Sequence, residues 1–345
     1  MAQTGRFLAL FFTWCTHIVV GSSFAPVIGV LSQPLNWDTD GSYIEAWYVN
    51  WLEAHGARVV PMRYDAPRDE TNALMQRVNG VLFPGGGAGI NQVSSAYGRF
   101  GSSIFHAAWL ARMPFWGTCL GFEQAMLYSS GLPWPGPLTK GWDAEELFLP
   151  LNLTVDGAST DLNTSLLADW PADLKHSISE RPWTFHMHQR GVSPKAFAES
   201  PKLSEAWHVL ATSRDRRGQE FISLVQAQEG LPFFASQFHP EKNAHEFEEP
   251  ENASIDGSLP VHSAGAIEAM GRFGASFVDR ARSFRRFGFT KDEFWKWSIT
   301  KWPMTLAEST KGAEWLPKHM QLFYFPPWNN SATSQTLQPQ AHVLV

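Results

Sequence analysis

Residues 114–124 read PFWGTCLGFEQ: a short apolar run ends in Gly-Thr-Cys-Leu-Gly, and helix-forming residues follow. This order predicts a strand, a sharp turn with Cys119 at its apex, and a helix. Gly117 and Gly121, two residues before and two residues after the cysteine, let the backbone bend as steeply as a nucleophile elbow requires. The thiol then lies at a helix N-terminus, where the helix dipole favours the thiolate over the thiol. The stretch predicts a cysteine nucleophile, and the alternative is a buried cysteine in an ordinary strand-to-helix turn.

Outward from the elbow, apolar runs alternate with helical patterns along the chain. The predicted strands cover 26–31, 58–62, 80–83, 147–155, 221–226 and 231–238, and the predicted helices cover 42–55, 71–78, 102–110 and 264–284. Residues 182–194 are predicted to form a loop. The alternation is typical of an α/β protein with a doubly wound sheet. Sites in such sheets form beyond the carboxyl ends of strands, so Cys119 and the glycines after residue 83 are expected to converge.

A base for the thiol is predicted where the last of these strands ends. His239 and Glu241 are two residues apart, and on an extended segment such residues project to the same side. Pro240 stiffens the link between them. Glu241 is therefore expected to hold the imidazole of His239 in one tautomer while the other ring nitrogen faces Cys119. The alternative for His239 is a hydrogen-bonded histidine of the core.

A glycine-rich loop at 84–89 reads PGGGAG and matches neither Gly-x-Gly-x-x-Gly nor Gly-x-x-x-x-Gly-Lys-Ser/Thr, the two common phosphate-binding patterns. Consecutive glycines after a strand favour a turn whose backbone N–H groups point into a site, and a merely flexible turn is the alternative. A tetrahedral intermediate needs such donors for its oxyanion. The predicted donors are the N–H of Leu120 and the N–H of Gly86 or Gly87.

The composition is that of a globular protein. The chain has 345 residues, of which 44% are hydrophobic and 17% charged, a length for one large or two modest domains. The net charge is −6 and Lys and Arg form no long runs, so we expect no nucleic-acid partner. A zinc site on His186, His188 and His239 competes for the histidines, but neither His-Glu-x-x-His nor paired cysteine spacing occurs. We expect no metal and no cofactor.

The N-terminal residues 1–23 are predicted to be a signal peptide, with cleavage somewhere between residues 21 and 25. A short segment with one positive charge, Arg6, precedes a mostly apolar run at 7–20, and small residues follow. The alternative is a membrane anchor, but a run of about 14 residues is shorter than the ~20 that a spanning helix needs. After cleavage we expect no membrane association.

Cysteines and glycosylation signals agree with a secretory route. Of the two cysteines, Cys15 lies in the predicted signal, so Cys119 alone would remain. A lone thiol in a compartment that oxidises thiols is a candidate nucleophile. Asn-x-Ser/Thr sequons, the acceptors of N-glycans, occur at Asn152, Asn163, Asn252 and Asn329.

Two stretches carry a family resemblance: the elbow at 117–123, GTCLGFE, and the strand end at 237–242, QFHPEK. They resemble the class I glutamine amidotransferase-like fold and, more narrowly, the γ-glutamyl hydrolases, which cleave folylpoly-γ-glutamates in lysosomes, vacuoles and secretions. Further matches at 42–46, 52–61 and 80–86 extend the resemblance over most of the chain from residue 26 to residue 282. The resemblance implies a three-layer, flavodoxin-like α/β fold with a mostly parallel central sheet, and it implies a homodimer.

The expected organisation is a single catalytic domain at 26–325. Residues 326–345 are rich in Pro, Asn, Ser and Gln and are predicted to be a loose tail.

The resemblance also assigns roles to individual residues. It implies that Cys119 is the nucleophile, His239 the catalytic histidine and Glu241 the carboxylate beside it. It implies a second histidine near the scissile bond at His188, with His186 as the rival for that role. Further positions that it associates with the glutamate pocket are Tyr43 and Glu123, and Arg190 stands where some members have an aromatic residue. An arginine at that position suits a substrate rich in carboxylates.

We therefore expect cysteine-dependent hydrolysis of γ-glutamyl bonds in folylpoly-γ-glutamates through an acyl-enzyme. One alternative is a glutaminase-type or other γ-glutamyl amide hydrolase, which would usually serve a synthase. The other is a lumenal protein that binds γ-glutamyl compounds or folates on an inactive hydrolase scaffold. The presence of Cys119, His239 and Glu241 favours an enzyme. The expected location is the lysosome or vacuole, or the extracellular space.

Overall fold

The computed structural model describes residues 24–35, 41–154, 166–245, 262–286, 288–318 and 320–328. In chain order its strands are β1 (Val27–Leu31), β2 (Gln33–Pro34), β3 (Ser42–Glu45), β4 (Arg58–Met62), β5 (Gly80–Phe83), β6 (Phe115–Thr118), β7 (Thr139–Leu149), β8 (Asn152–Leu153), β9 (Thr184–Gly191), β10 (Trp207–Arg214), β11 (Glu220–Ala227), β12 (Phe233–Ser236), β13 (Met304–Leu306) and β14 (Gln321–Phe325). The helices are α1 (Ala46–Ala54), α2 (Arg68–Met75), α3 (Ala96–Leu110), α4 (Leu120–Ser130), α5 (Ala172–Glu180), α6 (Pro194–Ala198), α7 (Pro201–Ala206), α8 (Ala264–Ser283) and α9 (Lys291–Trp297), with short 3₁₀ turns at Ile299–Lys301 and Ala307–Ser309.

The central sheet has eight strands in the order β4-β1-β5-β6-β12-β11-β10-β8. The first five run parallel, and the last three continue the sheet in antiparallel pairings. The parallel strands are apolar runs because both of their faces are covered. This arrangement confirms the predicted α/β fold with a mostly parallel central sheet.

Helices cover both faces of the sheet and make three layers. Neighbouring residues of a strand point to opposite faces, so Phe115 joins one hydrophobic cluster and Trp116 the other. The Phe115 cluster includes side chains of α3 and α4, among them Phe105 and Leu127. The Trp116 cluster includes side chains of α1 and α8, among them Leu52 and Phe273 on the predicted apolar stripe.

A second, four-stranded sheet joins the two ends of the described chain in the order β13-β14-β3-β2. Residues 42–45 were predicted to begin a helix, but they form β3, because β14 supplies its backbone partners. This pairing is invisible to local periodicity, since the two strands are far apart in sequence. The residues that follow β14 contact Arg63. Its guanidinium donates to the carbonyl oxygen of Pro326 and lies 4.9 Å from the centre of the Trp328 ring.

The segment at 182–194 is also a strand where a loop was predicted. Within it, β9 pairs with β7 in an antiparallel two-stranded sheet. His186 and His188 point inward and are buried, whereas Met187 between them is 43% exposed. This period of two is the pattern of a strand, and the flanking prolines obscured it.

Several predictions fall outside the described residues, namely the signal peptide at 1–23, the sequons at Asn163, Asn252 and Asn329, and all of the tail after residue 328. Asn152 lies on β8 at the sheet edge, is exposed, and donates from Nδ2 to Thr212 Oγ1 at 3.1 Å. Over the described ranges, no helix is long and apolar enough to cross a membrane.

Candidate active site

The elbow has the predicted geometry, with Cys119 between the end of β6 and the start of α4. Cys119 has φ 49° and ψ −100°, a positive-φ conformation that a non-glycine residue rarely adopts and that is typical of functional turns. A Cβ at Gly121 would lie 2.2 Å from the Phe83 carbonyl oxygen, and one at Gly117 would lie 2.6 Å from the Gly121 carbonyl oxygen. Both glycines are therefore required for the bend.

Three adjacent parallel strands bring the candidate residues together. Their order is β5-β6-β12, and the glycine loop, Cys119 and His239 follow their respective carboxyl ends. The Cys119 N–H donates to the Ser236 carbonyl oxygen at 2.8 Å, which joins the elbow to the end of β12. The expectation that these segments converge is met.

His239 and Glu241 form a buried pair, with 2.7 Å between Nδ1 and Oε1. Burial disfavours the charged imidazole, but the Glu241 carboxylate and the Cys119 sulfur outweigh it and raise the pKa of His239 to about 10. Because Nδ1 donates its proton to Glu241, Nε2 is the nitrogen that remains for Cys119 and a substrate. The pair thus has the geometry of a base and the group that orients it.

The thiol has a second neighbour on β9. The Cys119 sulfur lies 3.7 Å from the Met187 carbonyl oxygen, which accepts the S–H when the thiol is protonated. The backbone N–H of His239 donates to the Phe185 carbonyl oxygen at 2.9 Å. Strand β9 therefore supports the site through its backbone.

Gly85 is the glycine that packs among the candidate catalytic side chains. A Cβ there would lie 2.6 Å from His239 Cε1 and 3.2 Å from Cys119 Cβ, so no larger residue fits. Gly86 has φ +147° and follows directly, and a Cβ at Gly87 would meet no atom within 4 Å. The backbone N–H groups of Gly86, Gly87 and Leu120 remain the proposed oxyanion donors. At Leu120, the first helical residue, the N–H has no carbonyl of its own helix to bond.

His188 and His186 are buried on β9 in a hydrogen-bonded chain. His188 Nδ1 is 2.9 Å from the Arg190 carbonyl oxygen, and its Nε2 is 3.3 Å from His186 Nδ1. The His186 Nε2 atom is 3.1 Å from Thr184 Oγ1. Burial lowers the pKa of His188 to about 3 and that of His186 well below its ordinary value. Both ring nitrogens of His188 are engaged, so its proposed role near the scissile bond is that of a neutral supporting group.

Glu123 and Arg190, predicted pocket residues, form an ion pair of 3.0 Å between Oε2 and Nη1. Glu123 lies on α4, one turn after Cys119, and burial raises its pKa to about 8, against the opposing effect of Arg190. The guanidinium lies 5.0 Å from the centre of the Trp134 ring. The pair is the charged feature nearest in sequence to the nucleophile.

Tyr43, another predicted pocket residue, is buried on β3 directly opposite Gln33 of β2. Residues opposite each other in an antiparallel pair point to the same face. The Trp315 ring stands edge-on to Tyr43 at 6.2 Å between centroids. The C-terminal part of the chain therefore builds the wall behind Tyr43.

The sequence reasoning missed Tyr48 and Gln33. The Tyr48 hydroxyl accepts the Gly85 N–H at 2.7 Å and lies 3.5 Å from His239 Nδ1, and Gln33 Nε2 donates to the Gly85 carbonyl oxygen. A tyrosine in an apolar helical stripe has the pattern of a core residue, so no local signal marked it. For metals, no group of three or more His, Cys, Asp or Glu among the described residues is arranged to hold an ion.

Comparison with known proteins gives consistent matches. Residues 38–252 match the family model described as glutamine amidotransferase class-I. The chain is 32% identical to the γ-glutamyl hydrolase of Bos taurus over 301 residues, which are 82% of this chain and 88% of that protein. It is 31% identical to the γ-glutamyl hydrolase of Homo sapiens over 74% of this chain and 78% of that protein. The γ-glutamyl hydrolase 1 of Arabidopsis thaliana is 32% identical over 75% of this chain and 73% of its own length.

Proposed function

The chain belongs to the γ-glutamyl hydrolase family and hydrolyses γ-glutamyl bonds, and we propose that folate poly-γ-glutamates are the substrates that it cleaves. The observation that supports the catalytic assignment is the buried set of Cys119, His239 and Glu241 beside the glycine loop. Each belongs to a different step of one reaction: attack, proton transfer and orientation of the base.

Acylation begins when the Cys119 thiolate attacks the γ-carbonyl carbon of a glutamyl residue. The oxyanion of the tetrahedral intermediate is stabilised by the N–H of Leu120 and an N–H of the glycine loop. The His239 imidazolium donates its Nε2 proton to the amide nitrogen, the C–N bond breaks, and an amine leaves. The product on the enzyme is a thioester of the γ-carboxyl group.

Deacylation uses the same groups in reverse roles. His239 Nε2, now neutral, takes a proton from water as the water oxygen attacks the thioester carbon. The C–S bond breaks and the γ-carboxylic acid is released, which gives its remaining proton to solvent, while the thiolate and imidazolium are restored. Glu241 holds the imidazole in the same tautomer through both steps, since its Oε1 lies 2.7 Å from Nδ1.

The Arg190–Glu123 pair supports the choice of substrate. In a γ-linked chain every glutamyl α-carboxylate is free, whereas every α-amino group is held in an amide. A guanidinium binds carboxylates well, and Glu123 beside it offers an acceptor for an amide N–H. Because burial raises the Glu123 pKa to about 8, that side chain repels an incoming carboxylate less than an ordinary glutamate would.

Purified protein is expected to shorten a folate that carries several γ-linked glutamates, followed by chromatography of the products. Arg190→Met should raise KM for this substrate about 10- to 100-fold, with kcat changed less than about threefold, because one charge-assisted hydrogen bond is lost. Arg214→Met, which removes an exposed guanidinium paired with Glu220, is the matched control and should behave as wild type. Hydrolysis of glutamine without cleavage of the folate polyglutamate would instead indicate a glutaminase.

We also propose that the protein follows the secretory route to a lysosome or vacuole, or to the extracellular space. The apolar N-terminal run and the sequons support this, and Asn152 is exposed. Protein made in a eukaryotic host should lose mass on treatment with peptide N-glycosidase. For Asn152→Gln this mass loss should be smaller by the mass of one glycan. An untreated mass that equals the full-length unmodified chain would contradict both the signal peptide and the glycans.

A further inference from the structure

Two buried side chains grip the peptide groups of Gly85 from opposite ends. The Tyr48 hydroxyl oxygen, on α1, accepts the Gly85 N–H at 2.7 Å. Gln33 Nε2, on β2, donates to the Gly85 carbonyl oxygen. Tyr48 and Gln33 come from two different elements, and both are almost completely buried. The position of Gly85 is therefore determined by tertiary contacts rather than by the loop itself.

The grip on the Gly85 carbonyl also determines the direction of the next N–H. The Gly85 carbonyl and the Gly86 N–H belong to one planar, trans peptide unit, so they point in opposite directions. When Gln33 holds the carbonyl oxygen, the Gly86 N–H is directed away from Gln33. The peptide plane cannot rotate without breaking that hydrogen bond.

The fit around the loop leaves little freedom for another arrangement. A Cβ at Gly86 would lie 2.0 Å from Gln33 Oε1, so the glycine packs directly against the side chain that holds it. At Gly85, a Cβ would lie 2.9 Å from the Tyr48 hydroxyl and 2.6 Å from His239 Cε1. The held peptide is thus in contact with the catalytic histidine on one side and with Gln33 on the other.

We propose that Gln33 and Tyr48 are positioning residues that clamp the Gly85–Gly86 peptide and so direct the Gly86 N–H toward the oxyanion of the tetrahedral intermediate. This inference rests on the proposed function, because it assigns the source of one oxyanion donor. It selects Gly86 over Gly87, which no comparable pair of contacts holds among the described residues.

Tyr48 acts chiefly through the loop and only weakly through His239. Its oxygen lies 3.5 Å from His239 Nδ1, whereas Glu241 Oε1 lies 2.7 Å from the same nitrogen and takes its proton. Removal of the hydroxyl should therefore leave the Cys119–His239 pair almost intact. This separates a clamp on the oxyanion donor from a general disturbance of the site.

Tyr48→Phe and Gln33→Met test the clamp, since each keeps the approximate shape of the side chain and removes its hydrogen bond. Tyr128→Phe is the matched control: its buried hydroxyl is bonded to Gln124 and to the carbonyl oxygen of Gly98, away from the catalytic residues. Three experiments are made on each protein: steady-state kinetics on a folate polyglutamate for kcat and KM, acylation by p-nitrophenyl acetate, and the pH profile of Cys119 alkylation by iodoacetamide. Alkylation needs the thiolate but forms no oxyanion.

For both clamp variants we expect kcat and the ester acylation rate to fall about 10- to 100-fold, with KM changed less than about threefold. Their alkylation rates and pH profiles should match wild type, and the Tyr128→Phe protein should keep its catalytic rates. Unchanged acylation by the ester would overturn the clamp, as would a parallel loss of alkylation. Because the ester measures the oxyanion site directly, this result stands apart from whether the wild-type protein cleaves γ-glutamyl amides.

Discussion

Cys119→Ala should lower kcat for γ-glutamyl hydrolysis by a factor on the order of 10⁴ to 10⁶, because no other side chain replaces a catalytic nucleophile. The residual rate over that of free substrate in water would come from binding and the oxyanion donors. Cys119→Ser should be almost as inactive, since a serine hydroxyl at this position is far less ionised than a thiol. The measurement is steady-state hydrolysis of a folate polyglutamate by each variant.

The same variants should remain folded and should still bind substrate. Cys119 already has φ 49°, so alanine introduces no backbone conformation that the elbow does not hold already. We expect the free energy of unfolding in urea to change by no more than about 1 kcal/mol. The Kd of the substrate for the variants, measured by calorimetry, should stay close to the Kd of the wild-type protein for a substrate that it hydrolyses slowly. Substantial turnover by a correctly folded Cys119→Ala protein would remove the acyl-enzyme mechanism.

Glu241→Gln should lower kcat about 10³- to 10⁴-fold while the thiol remains in place. The amide of the substituted side chain can donate to His239 Nδ1, which favours the tautomer with the imidazole proton on Nε2. In that tautomer Nε2 cannot accept a proton from the thiol. The carboxylate is fully buried and 2.7 Å from Nδ1, so no water molecule of bulk solvent replaces it. Glu268→Gln, an exposed glutamate paired with Arg272, is the matched control and should retain full activity.

The pH dependence of Glu241→Gln gives a second readout. In the wild-type protein the pKa of His239 is raised from 6.5 to about 10, because Glu241 and Cys119 outweigh the effect of burial. A raised pKa means that protonated His239 stabilises the fold fully below pH 6.5, and that this stabilisation is lost as the pH rises toward about 10. Without the carboxylate the pKa of His239 should fall, so the stabilisation should be smaller and its loss complete at a lower pH, measured by urea unfolding. Iodoacetamide alkylation of Cys119 across the same range should show a matching change in its pH profile. Wild-type pH profiles in the variant would show that Glu241 does not set the charge of His239.

Local sequence patterns were enough to predict the elbow and the position of the proposed base. Gly117 and Gly121 flank Cys119 in a spacing that only a sharp turn requires, and the structure shows a carbonyl within 2.6 Å of the position where each would carry a Cβ. His239 and Glu241 are two residues apart on an extended segment, so one side of the backbone presents both. Each of these features depends on a few consecutive residues, which is why their types and spacing are sufficient evidence.

Local sequence patterns did not predict the contacts between segments that are distant along the chain. Strand β3 was predicted as part of a helix because β14, its partner, follows it by more than two hundred residues. Tyr48 has the pattern of a core residue on a helix, and only its contact with Gly85 distinguishes it from its buried neighbours. His188 was expected near the scissile bond, but whether its nitrogens are free depends on His186 and on the Arg190 carbonyl oxygen.

The amino-acid sequence by itself therefore determined the fold class and was sufficient to propose the nucleophile, its base and the orienting carboxylate, because these follow from apolar periodicity and from residues that are close together along the chain. The tertiary structure alone decided which glycine of the loop is held against the site and which side chains hold it. It also decided that Glu123 and Arg190 form an ion pair with a raised Glu123 pKa. Those outcomes depend on packing between β2, α1, β9 and the strand ends, and burial changes the pKa and the hydrogen-bond partners of each group once the segments meet. No spacing within one segment encodes such distances.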